Sequence, residues 1–280
     1  MSEITKLEKI ATQIRRDVLR MVNAQNSGHS GGSLGCADLM TALYFNILDI
    51  DAKNFNFKSK DQDAFFLSIG HISPVWYSAL ARSGHFEIKE LKSFRKIGGI
   101  LQGHPSNKNL NGVRIASGSL GQGLSVANGV GIAKKMDGDK NLVYALMGDG
   151  ELQEGQIWEA AMFANAHKID NLIAIIDNNH KQIDGDTDDV IPLLSIKNKF
   201  SSFGWKVLEM DGNNMKDLIS VLNEAKKETG NQKPVVIIMI TKMGKGVDFM
   251  EDDHRWHGKA PNNKELKIAL DNLEETLGDF

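Results

Sequence analysis

The sequence is poor in cysteine and in proline. Its single cysteine, Cys36, excludes an intrachain disulfide framework and is typical of a protein from a reducing compartment such as the cytoplasm. Only five prolines interrupt the chain, and Pro192, Pro234 and Pro261 fall where helical and strand patterns meet. These prolines therefore mark element boundaries.

Long apolar runs and concentrated positive charge are also missing. No apolar run reaches the roughly 20 residues that a membrane-spanning helix needs. Residues 1–22 mix charged and apolar side chains at helical spacing, which predicts a helix rather than a secretory signal. The net charge is −3 and the basic residues are scattered, so we expect neither a nucleic-acid-binding nor a membrane-binding surface.

What the chain has is a series of short apolar runs separated by helical patterns. Most runs are continuous rather than alternating, which is typical of parallel strands buried on both faces. They are Ala64–Ile69, Leu142–Met147, Leu172–Asp177, Lys206–Met210 and Val235–Ile240. The main helical patterns are Leu120–Met136, Gly155–His167, Asn214–Glu228 and Asn262–Leu277. The alternation predicts an α/β fold, a doubly wound and mostly parallel sheet flanked by helices, in a single domain over residues 1–280.

The strongest chemical signal follows the second predicted strand. Gly148-Asp149-Gly150-Glu151 comes directly after that strand, and the next strand ends in Asn178-Asn179. Ligands of doubly wound sheets bind beyond the carboxyl ends of the strands. A carboxylate and an amide oxygen there can meet on one Mg²⁺, which prefers oxygen ligands. Alone, Gly-Asp-Gly fits a capped strand-to-helix turn equally well, and the second strand end favours the metal site.

Four histidines each stand directly beside a glycine: His29, His71, His104 and His257. Imidazole donates, accepts or shuttles protons near neutral pH, and nearby glycine leaves the ring accessible to a ligand. The spacings are not those of a zinc site built with cysteine. A single histidine is more often a surface or satisfied buried residue, which is our interpretation of His85 and His167. Four of them favour a ligand-binding function.

A glycine-rich segment, Ser117-Gly118-Ser119-Leu120-Gly121-Gln122-Gly123, leads into an apolar helical pattern. Such a loop is weak evidence by itself, because many glycine-rich loops only permit tight packing.

Together these motifs resemble the signature of thiamine-diphosphate-dependent enzymes, in which GDG is followed by a strand that ends in asparagine. The segments GDGELQEGQIWEAA and IIDNNHKQIDG, with SGHSGG, SIGHISPVWY, GHP and WHGKAP, are similar to transketolase in particular. The resemblance covers nearly the whole chain. It implies the diphosphate-binding domain of the thiamine-diphosphate fold. It also implies transfer of a two-carbon ketol unit to an aldose from a ketose phosphate, or from a modified ketose such as a sulfo-sugar.

The resemblance implies thiamine diphosphate and Mg²⁺ as cofactors, with Ca²⁺ or Mn²⁺ as possible substitutes for Mg²⁺. It implies three metal ligands, the side chains of Asp149 and Asn179 and the carbonyl of Lys181. The cofactor-binding residues that it implies are His71, Gly118, Ser119, Leu120, Gly148, Asp149, Gly150, Glu151, Asn179 and His257.

The same resemblance assigns catalytic roles. It implies that His29, His104 and His257 face the substrate and assist proton transfer. Glu154 would reach a subunit interface and hold the partner's catalytic glutamate in a proton-sharing network. A loop that begins at Lys245-Gly246 and runs to Lys259 closes over the active site in relatives.

Full-length transketolases continue beyond WHGKAP into a pyrimidine-binding domain and a third domain, whereas only one more helix is predicted here. The resemblance therefore implies the N-terminal subunit of a split transketolase. We expect it to be cytoplasmic and active only with a C-terminal subunit, in an α2β2 assembly.

Several residues depart from the pattern of the family. Ser30 replaces a usual proline, which we expect to loosen one substrate-side loop, and Arg114 replaces a common glutamate. His180, Lys181 and the charged segment at residues 251–255 are also unusual. We hypothesise that some of these residues recognise an anionic end of the sugar, such as that of a sulfonated or rearranged sugar.

Two further interpretations stay open. One is a related enzyme, a 1-deoxyxylulose-5-phosphate synthase or the α subunit of a decarboxylase, although the glycine–histidine motifs and LQEGQIWEA favour transketolase. The other is a non-catalytic binding homologue, against which the presence of Asp149, Asn179 and the four histidines argues.

Overall fold

A computed structural model describes residues 2–58, 60–108 and 110–280 of the chain, and its centre is a parallel sheet. The strands of this sheet are β1 (Ala64–Leu67), β2 (Val143–Gly148), β3 (Leu172–Asn178), β6 (Lys206–Asp211) and β7 (Val235–Ile240). They lie in the order β1-β2-β3-β7-β6, and every neighbouring pair is parallel. A separate antiparallel hairpin joins β4 (Lys181–Gln182) to β5 (Gly185–Asp186). The predicted α/β class and parallel sheet are confirmed.

Each central strand buries both of its faces, which explains the continuous apolar runs. Along β2, Tyr144 and Leu146 belong to one hydrophobic cluster, whereas Val143, Ala145 and Met147 belong to another on the opposite face. Successive side chains of a strand point to opposite faces, so an unbroken apolar run requires packing partners on both.

Helices supply those partners. In chain order they are α1 (Glu3–Gln25), α2 (Ser30–Gly35), α3 (Ala37–Ala42), α4 (Ser73–Arg82), α5 (Gly123–Met136), α6 (Gly155–Ala166), α7 (Thr187–Val190), α8 (Ile196–Ser202), α9 (Met215–Glu228) and α10 (Asn263–Asp271). Helix α1 packs against α3, α4, α9 and α10, whereas α5 packs against β2 and α6. Among the described residues, no helix is long and apolar enough to cross a membrane.

Two predicted helix boundaries are wrong. The helix predicted from Leu120 begins at Gly123. Gly121 takes a positive φ of 83°, and its N–H donates to the Glu151 carboxylate, so the helical hydrogen-bond pattern cannot include it. The last helix ends at Asp271 and not at Leu277. The backbone N–H groups of Thr276 and Leu277 both donate to the Gln13 side chain (3.0 Å each), so this segment returns to α1.

The strand ends differ by smaller amounts. Strand β1 stops at Leu67, since Ser68–Ile69 already turn toward a short 3₁₀ helix at Gly70–Ile72. Strands β2, β3 and β6 each extend one residue beyond the prediction at the carboxyl end. The residues that follow these strands therefore line one edge of the sheet, which we call the carboxyl edge.

Candidate cofactor and substrate site

Asp149 connects two neighbouring strand ends at the carboxyl edge. It is 2% exposed, and its carboxylate accepts hydrogen bonds from the backbone N–H groups of Gly150 (2.7 Å) and His180 (2.6 Å). Because His180 lies just beyond β3, the GDG turn and the Asn178-Asn179 segment are held together, as the spacing of the motifs predicts. Burial, and next the nearby carboxylate of Asp177, raise the pKa of Asp149 to about 7.

Asp177 orients the side-chain amide of Asn179. Its carboxylate is fully buried and accepts from the Asn179 amide (2.8 Å) and from the Thr241 hydroxyl. Since the amide nitrogen of Asn179 is held in this way, its oxygen takes the other side, where it accepts from the Lys181 N–H (2.9 Å). Burial raises the pKa of Asp177. Sequence reasoning missed Asp177, although its position at the end of a buried strand could have identified it.

Glu151 ties three loops of the site together. Its buried carboxylate accepts from the Ser68 hydroxyl and from the N–H groups of Gly121 (2.7 Å) and Gly148 (3.2 Å). The Ser68 hydroxyl in turn accepts from the Gly123 N–H (3.0 Å). The geometry thus gives Glu151 a part in holding the glycine-rich loop against β1 and β2, and direct contact with a cofactor stays a prediction.

Three of the four predicted histidines form one cluster. The ring centroids of His29 and His71 lie 4.9 Å apart, those of His71 and His257 lie 5.2 Å apart, and those of His29 and His257 lie 5.5 Å apart. The Nδ1 atoms of His29 and His257 are buried and have no hydrogen-bond partner within the described residues. Buried polar atoms are normally satisfied, so these two nitrogens indicate a place where a ligand or water binds.

His104 lies at the edge of this cluster, on an exposed loop. Its ring packs on Gly118, where an added Cβ would sit 3.3 Å from the His104 Cγ. The glycine-rich loop therefore lies beside the histidines, with Gly118 and Ser119 exposed and Leu120 half-buried against the larger hydrophobic cluster.

Burial keeps the clustered histidines neutral. It lowers the pKa of His29 to about 4 and that of His71 to about 3, with neighbouring histidines adding to both effects. Burial also lowers the pKa values of His104 and His257. Within the described residues no group of three or more His, Cys, Asp or Glu side chains is arranged to hold a metal ion, so a cation at the carboxyl edge would need Asn179 and backbone oxygens in addition to Asp149.

The expectation that Ser30 loosens its loop is wrong. Ser30 is fully buried, and its hydroxyl donates to the Lys259 carbonyl (2.8 Å). The adjacent Gly31 carbonyl accepts from the Gly244 N–H (2.9 Å). The first bond holds the end of the predicted closing loop on α2, and the second holds the residue just before its start. His257, within this loop, lies next to His29.

The β4–β5 hairpin bridges the GDG turn and the histidine cluster. Gln182 packs on Gly150, where an added Cβ would lie 3.4 Å from the Gln182 Cβ. At the other end, the side chain of Ile183 would lie 3.9 Å from a Cβ added to Gly258. The ammonium group of Lys181 forms an ion pair with Asp186 (2.6 Å), and the ligand role of the Lys181 carbonyl stays a prediction.

One of the two unusual arginines does not line the site. Arg114 is buried with its guanidinium 4.6 Å from the centroid of the Phe55 ring, and it acts electrostatically on Asp63, which precedes β1 at the opposite edge of the sheet. Arg255 is exposed and pairs with Asp253 (2.6 Å). The structure therefore removes Arg114 from the residues that could recognise the sugar.

Glu154 is exposed at the start of α6, beside the glycine-rich loop. An added Cβ on Gly121 would lie 3.0 Å from the Glu154 Cβ. Glu154 thus lies next to the site and is open to solvent. This position is compatible with a role at a subunit interface, which stays a prediction.

Arg95 is the second residue that sequence reasoning missed. Its guanidinium donates to the Ser27 hydroxyl (2.9 Å) and lies against Gly103, so it contacts the loops of both His29 and His104. None of the sequence motifs includes it, and its importance depends on contacts between distant segments.

Comparisons with known proteins give similar proteins over nearly the whole chain. The family described as "Transketolase, thiamine diphosphate binding domain" matches residues 6–275. The chain is 39% identical over 269 residues to the 6-deoxy-6-sulfo-D-fructose transketolase subunit SqwG of Clostridium sp. (strain MSTE9), covering 96% of each chain. It is 37% identical over 275 residues to one of the subunits of apulose-4-phosphate transketolase from Phocaeicola vulgatus, covering 98% of this chain and 96% of the relative.

Solved structures show the same fold. The transketolase from Campylobacter jejuni superimposes with a TM-score of 0.88 at 34% identity, covering 97% of this chain and 43% of that chain. The transketolase from Leishmania mexicana gives a TM-score of 0.88 at 28% identity, with coverage of 100% and 43%. This chain thus spans less than half the length of these solved transketolases.

Proposed function

The chain belongs to the transketolase family as a thiamine-diphosphate-binding subunit, and we propose that it holds the diphosphate through Mg²⁺ at Asp149 and Asn179. The observation that carries this proposal is the joining of two strand ends by the hydrogen bond from the His180 N–H to Asp149. It brings a carboxylate and an amide to the same point of the carboxyl edge, and the Lys181 carbonyl supplies the third ligand.

The donor set fits a hard divalent cation. Asp149, the Asn179 amide oxygen and a backbone carbonyl are all oxygen donors, and Mg²⁺ takes its remaining ligands from phosphate and water. Asp149 is buried beside Asp177, and no cationic side chain contributes to the shift of its pKa. A cation at this point would favour the ionised form of Asp149 and relieve the repulsion between the two carboxylates.

The surroundings also fit thiamine diphosphate. Two glycines let neighbouring segments of the site approach the backbone closely, since a Cβ added to Gly118 would lie 3.3 Å from the His104 Cγ and one added to Gly150 would lie 3.4 Å from the Gln182 Cβ. His71, Gly148, Ser119 and Leu120 are the further residues that we propose for cofactor contact. Thiamine diphosphate, when bound, supplies the electron sink that the transfer of a two-carbon ketol unit requires.

The chain's own histidines would donate and accept the protons of the reaction. His29, His71 and His257 form a half-buried, neutral cluster in which each ring has one donor and one acceptor nitrogen. Neutral imidazoles can donate to a sugar oxygen as negative charge develops and accept the proton back, which is general acid–base catalysis. We propose this role for His29, His104 and His257, with His71 and His257 also close to the diphosphate.

We propose that the whole chain is one diphosphate-binding domain and that a partner subunit supplies the pyrimidine-binding half. The relatives named as transketolase subunits cover almost the entire chain, which supports this division. An α2β2 assembly in the cytoplasm, with Glu154 at the interface, follows the same analogy.

The substrate that we propose is a ketose with an anionic end. Two relatives are named for 6-deoxy-6-sulfo-D-fructose and for apulose-4-phosphate, both of which carry such a group. Turnover of sulfonated, branched and ordinary ketose phosphates by the reconstituted pair would identify the donor. Better turnover of an uncharged ketose than of all the anionic ones would contradict the proposal.

Calorimetric titration of thiamine diphosphate tests the cofactor site, with the chain mixed with its C-terminal subunit in Mg²⁺. We expect Asp149→Asn and Asn179→Leu to weaken binding at least tenfold, because each removes a ligand of the cation and ligand loss commonly exceeds about 1.4 kcal/mol. Glu224→Gln, which alters an exposed carboxylate of α9, is the control and should bind as the natural chain does. Unchanged affinity in both ligand variants would defeat the proposed site.

A further inference from the structure

Arg95 lies between the two loops that carry His29 and His104. Its Nη1 donates to the Ser27 hydroxyl at 2.9 Å, two residues before His29. On its other side, a Cβ added to Gly103 would lie 2.9 Å from the Arg95 Cζ, so the guanidinium rests directly on the backbone next to His104. Glycine at position 103 is needed for this close approach.

The backbone around Arg95 is itself firmly placed. Its φ of 54° is in the left-handed region, and its N–H donates to the Leu101 carbonyl (2.8 Å). The loop that follows is fixed from α4, where the Tyr77 hydroxyl donates to Gln102 (2.8 Å) and the Ser73 hydroxyl donates to Gly103 (2.7 Å). The guanidinium therefore joins the Ser27–His29 segment to a loop that α4 holds by hydrogen bonds. Within the described residues, no side chain of α4 forms a hydrogen bond to that segment.

We propose that Arg95 is a positioning residue that joins the loops of His29 and His104 and keeps a positive charge beside both rings. The proposal rests on the proposed function for its meaning in catalysis, but its geometric part concerns this chain alone. The Arg95 Nε is buried and has no partner within the described residues, so a donor remains free on the same face. Arginine suits this position because its planar guanidinium can donate a hydrogen bond to the Ser27 loop through one nitrogen while its face packs on the backbone of the His104 loop.

The charge of Arg95 acts on the histidines in a consistent direction. Burial is the largest cause that lowers the pKa of His104, and the charge of Arg95 is the next. His29 is affected by burial first, then by His257, Arg95 and His104. A fixed cation near an imidazole disfavours imidazolium, so Arg95 helps to keep both rings neutral.

Histidine titration by NMR in the full chain tests the electrostatic part. We expect Arg95→Gln to raise the pKa values of His29 and His104, whereas Arg95→Lys should leave them close to their natural values. Lys96→Gln is the matched control, since it removes one positive charge from the adjacent, exposed position. The pKa of His85, which responds to Arg114 and Asp51 instead, is the internal reference.

Kinetics of the reconstituted pair test the positioning part. Ser27→Ala keeps the charge and removes the hydrogen bond, so we expect about tenfold lower kcat/KM with unchanged histidine titration, in line with a lost hydrogen bond to a charged group. Arg95→Lys should show the same loss, because an ammonium group cannot bridge the loops. Thermal melting of each variant identifies any that fails to fold.

Two results would overturn the inference. Equal histidine titration in Arg95→Gln and Lys96→Gln would remove the electrostatic role, and full kcat/KM in Ser27→Ala and Arg95→Lys would remove the positioning role. The titration needs no partner and no cofactor. A pair that lacks transketolase activity would therefore contradict the proposed function while the shift of His29 and His104 still tests Arg95.

Discussion

Ser30 shows how one side chain can hold a loop over the site. Its buried hydroxyl donates to the Lys259 carbonyl at 2.8 Å, so Ser30→Ala removes a bond between α2 and the closing loop. A lost buried hydrogen bond costs about 1 kcal/mol, which corresponds to roughly fivefold more frequent opening of the loop. We therefore expect trypsin to cleave at Arg255 or Lys259 about five times faster in Ser30→Ala.

Ser33→Ala is the control for this prediction. Ser33 also lies in α2, but its hydroxyl donates to the His29 carbonyl (2.6 Å) and not to the closing loop. Equal cleavage rates in Ser30→Ala and Ser33→Ala would show that the Ser30 bond does not hold the loop. The role of Ser30 was not predictable from the motif, because proline in relatives suggests only that a rigid residue is missing. The partner is a carbonyl 229 positions away along the chain.

At the scale of elements, Gly123 fixes where α5 meets β1. A Cβ added to Gly123 would lie 2.5 Å from the Ser68 Oγ and 2.9 Å from the Ser68 Cα, so Gly123→Ala must displace the end of β1. Ser68 also donates to Glu151, and the change would disturb that bond as well. Overpacking of this kind costs about 1–3 kcal/mol, which we expect as a lower free energy of unfolding in urea.

Gly129→Ala on the same helix is the matched control. Gly129 is exposed and nothing lies within 4 Å of an added Cβ, so alanine should stabilise the helix by about 0.5–1 kcal/mol. If the two variants shifted the urea midpoint in the same direction, the packing argument at Gly123 would be wrong.

The same elements show how far sequence reasoning reached. The sequence pattern located all five strands of the sheet. Burial on both faces explains the continuous apolar signal of β1, β2, β3 and β7, whereas the edge strand β6 is mostly half-buried or exposed. The ends were less accurate, since α5 begins late on account of hydrogen bonds from Gly121 and Gly123 to side chains of other segments. The motif spacing also predicted that the GDG turn and the end of β3 lie together, which the bond from the His180 N–H to Asp149 confirms, and the shared cation of Asp149 and Asn179 stays a prediction. The support from Asp177 could have been inferred from its position at the end of a buried strand, whereas that from Arg95 depends on tertiary contacts that no local pattern contains.

At the scale of the whole molecule, buried histidines couple stability to pH. Burial lowers the pKa of His85 to about 4, while a histidine in an unfolded chain titrates near 6.5. His85 is buried away from the site, with its Nδ1 near the Ser83 hydroxyl (3.1 Å), and Arg114 and Asp51 are the charged groups that act on it. The folded state therefore prefers the neutral ring, and unfolding becomes easier as the ring of the unfolded chain takes up a proton.

The sign of the effect follows from this difference in proton uptake. The contribution of His85 is fully present above pH 6.5 and is lost as the pH falls from 6.5 toward 4, at up to about 1.4 kcal/mol per pH unit. Buried carboxyl groups with raised pKa values, such as Asp149, act in the opposite direction, so the total slope is not the quantity to measure. We compare the natural chain with His85→Gln, which cannot gain a proton.

Urea unfolding of both chains at intervals between pH 7.5 and 4.5 gives this difference directly. We expect the natural chain to be the more stable at pH 7.5, and its advantage over His85→Gln to shrink steadily below pH 6.5. The exposed His167 provides a control, since His167→Gln also removes one imidazole but from the surface, so the comparison isolates the effect of burying the ring. A constant gap between the natural chain and His85→Gln would mean that the ring takes up its proton equally in the folded and unfolded chain, so that burial does not lower its pKa. That would contradict the dry environment that α4, Phe55 and Tyr44 build around it.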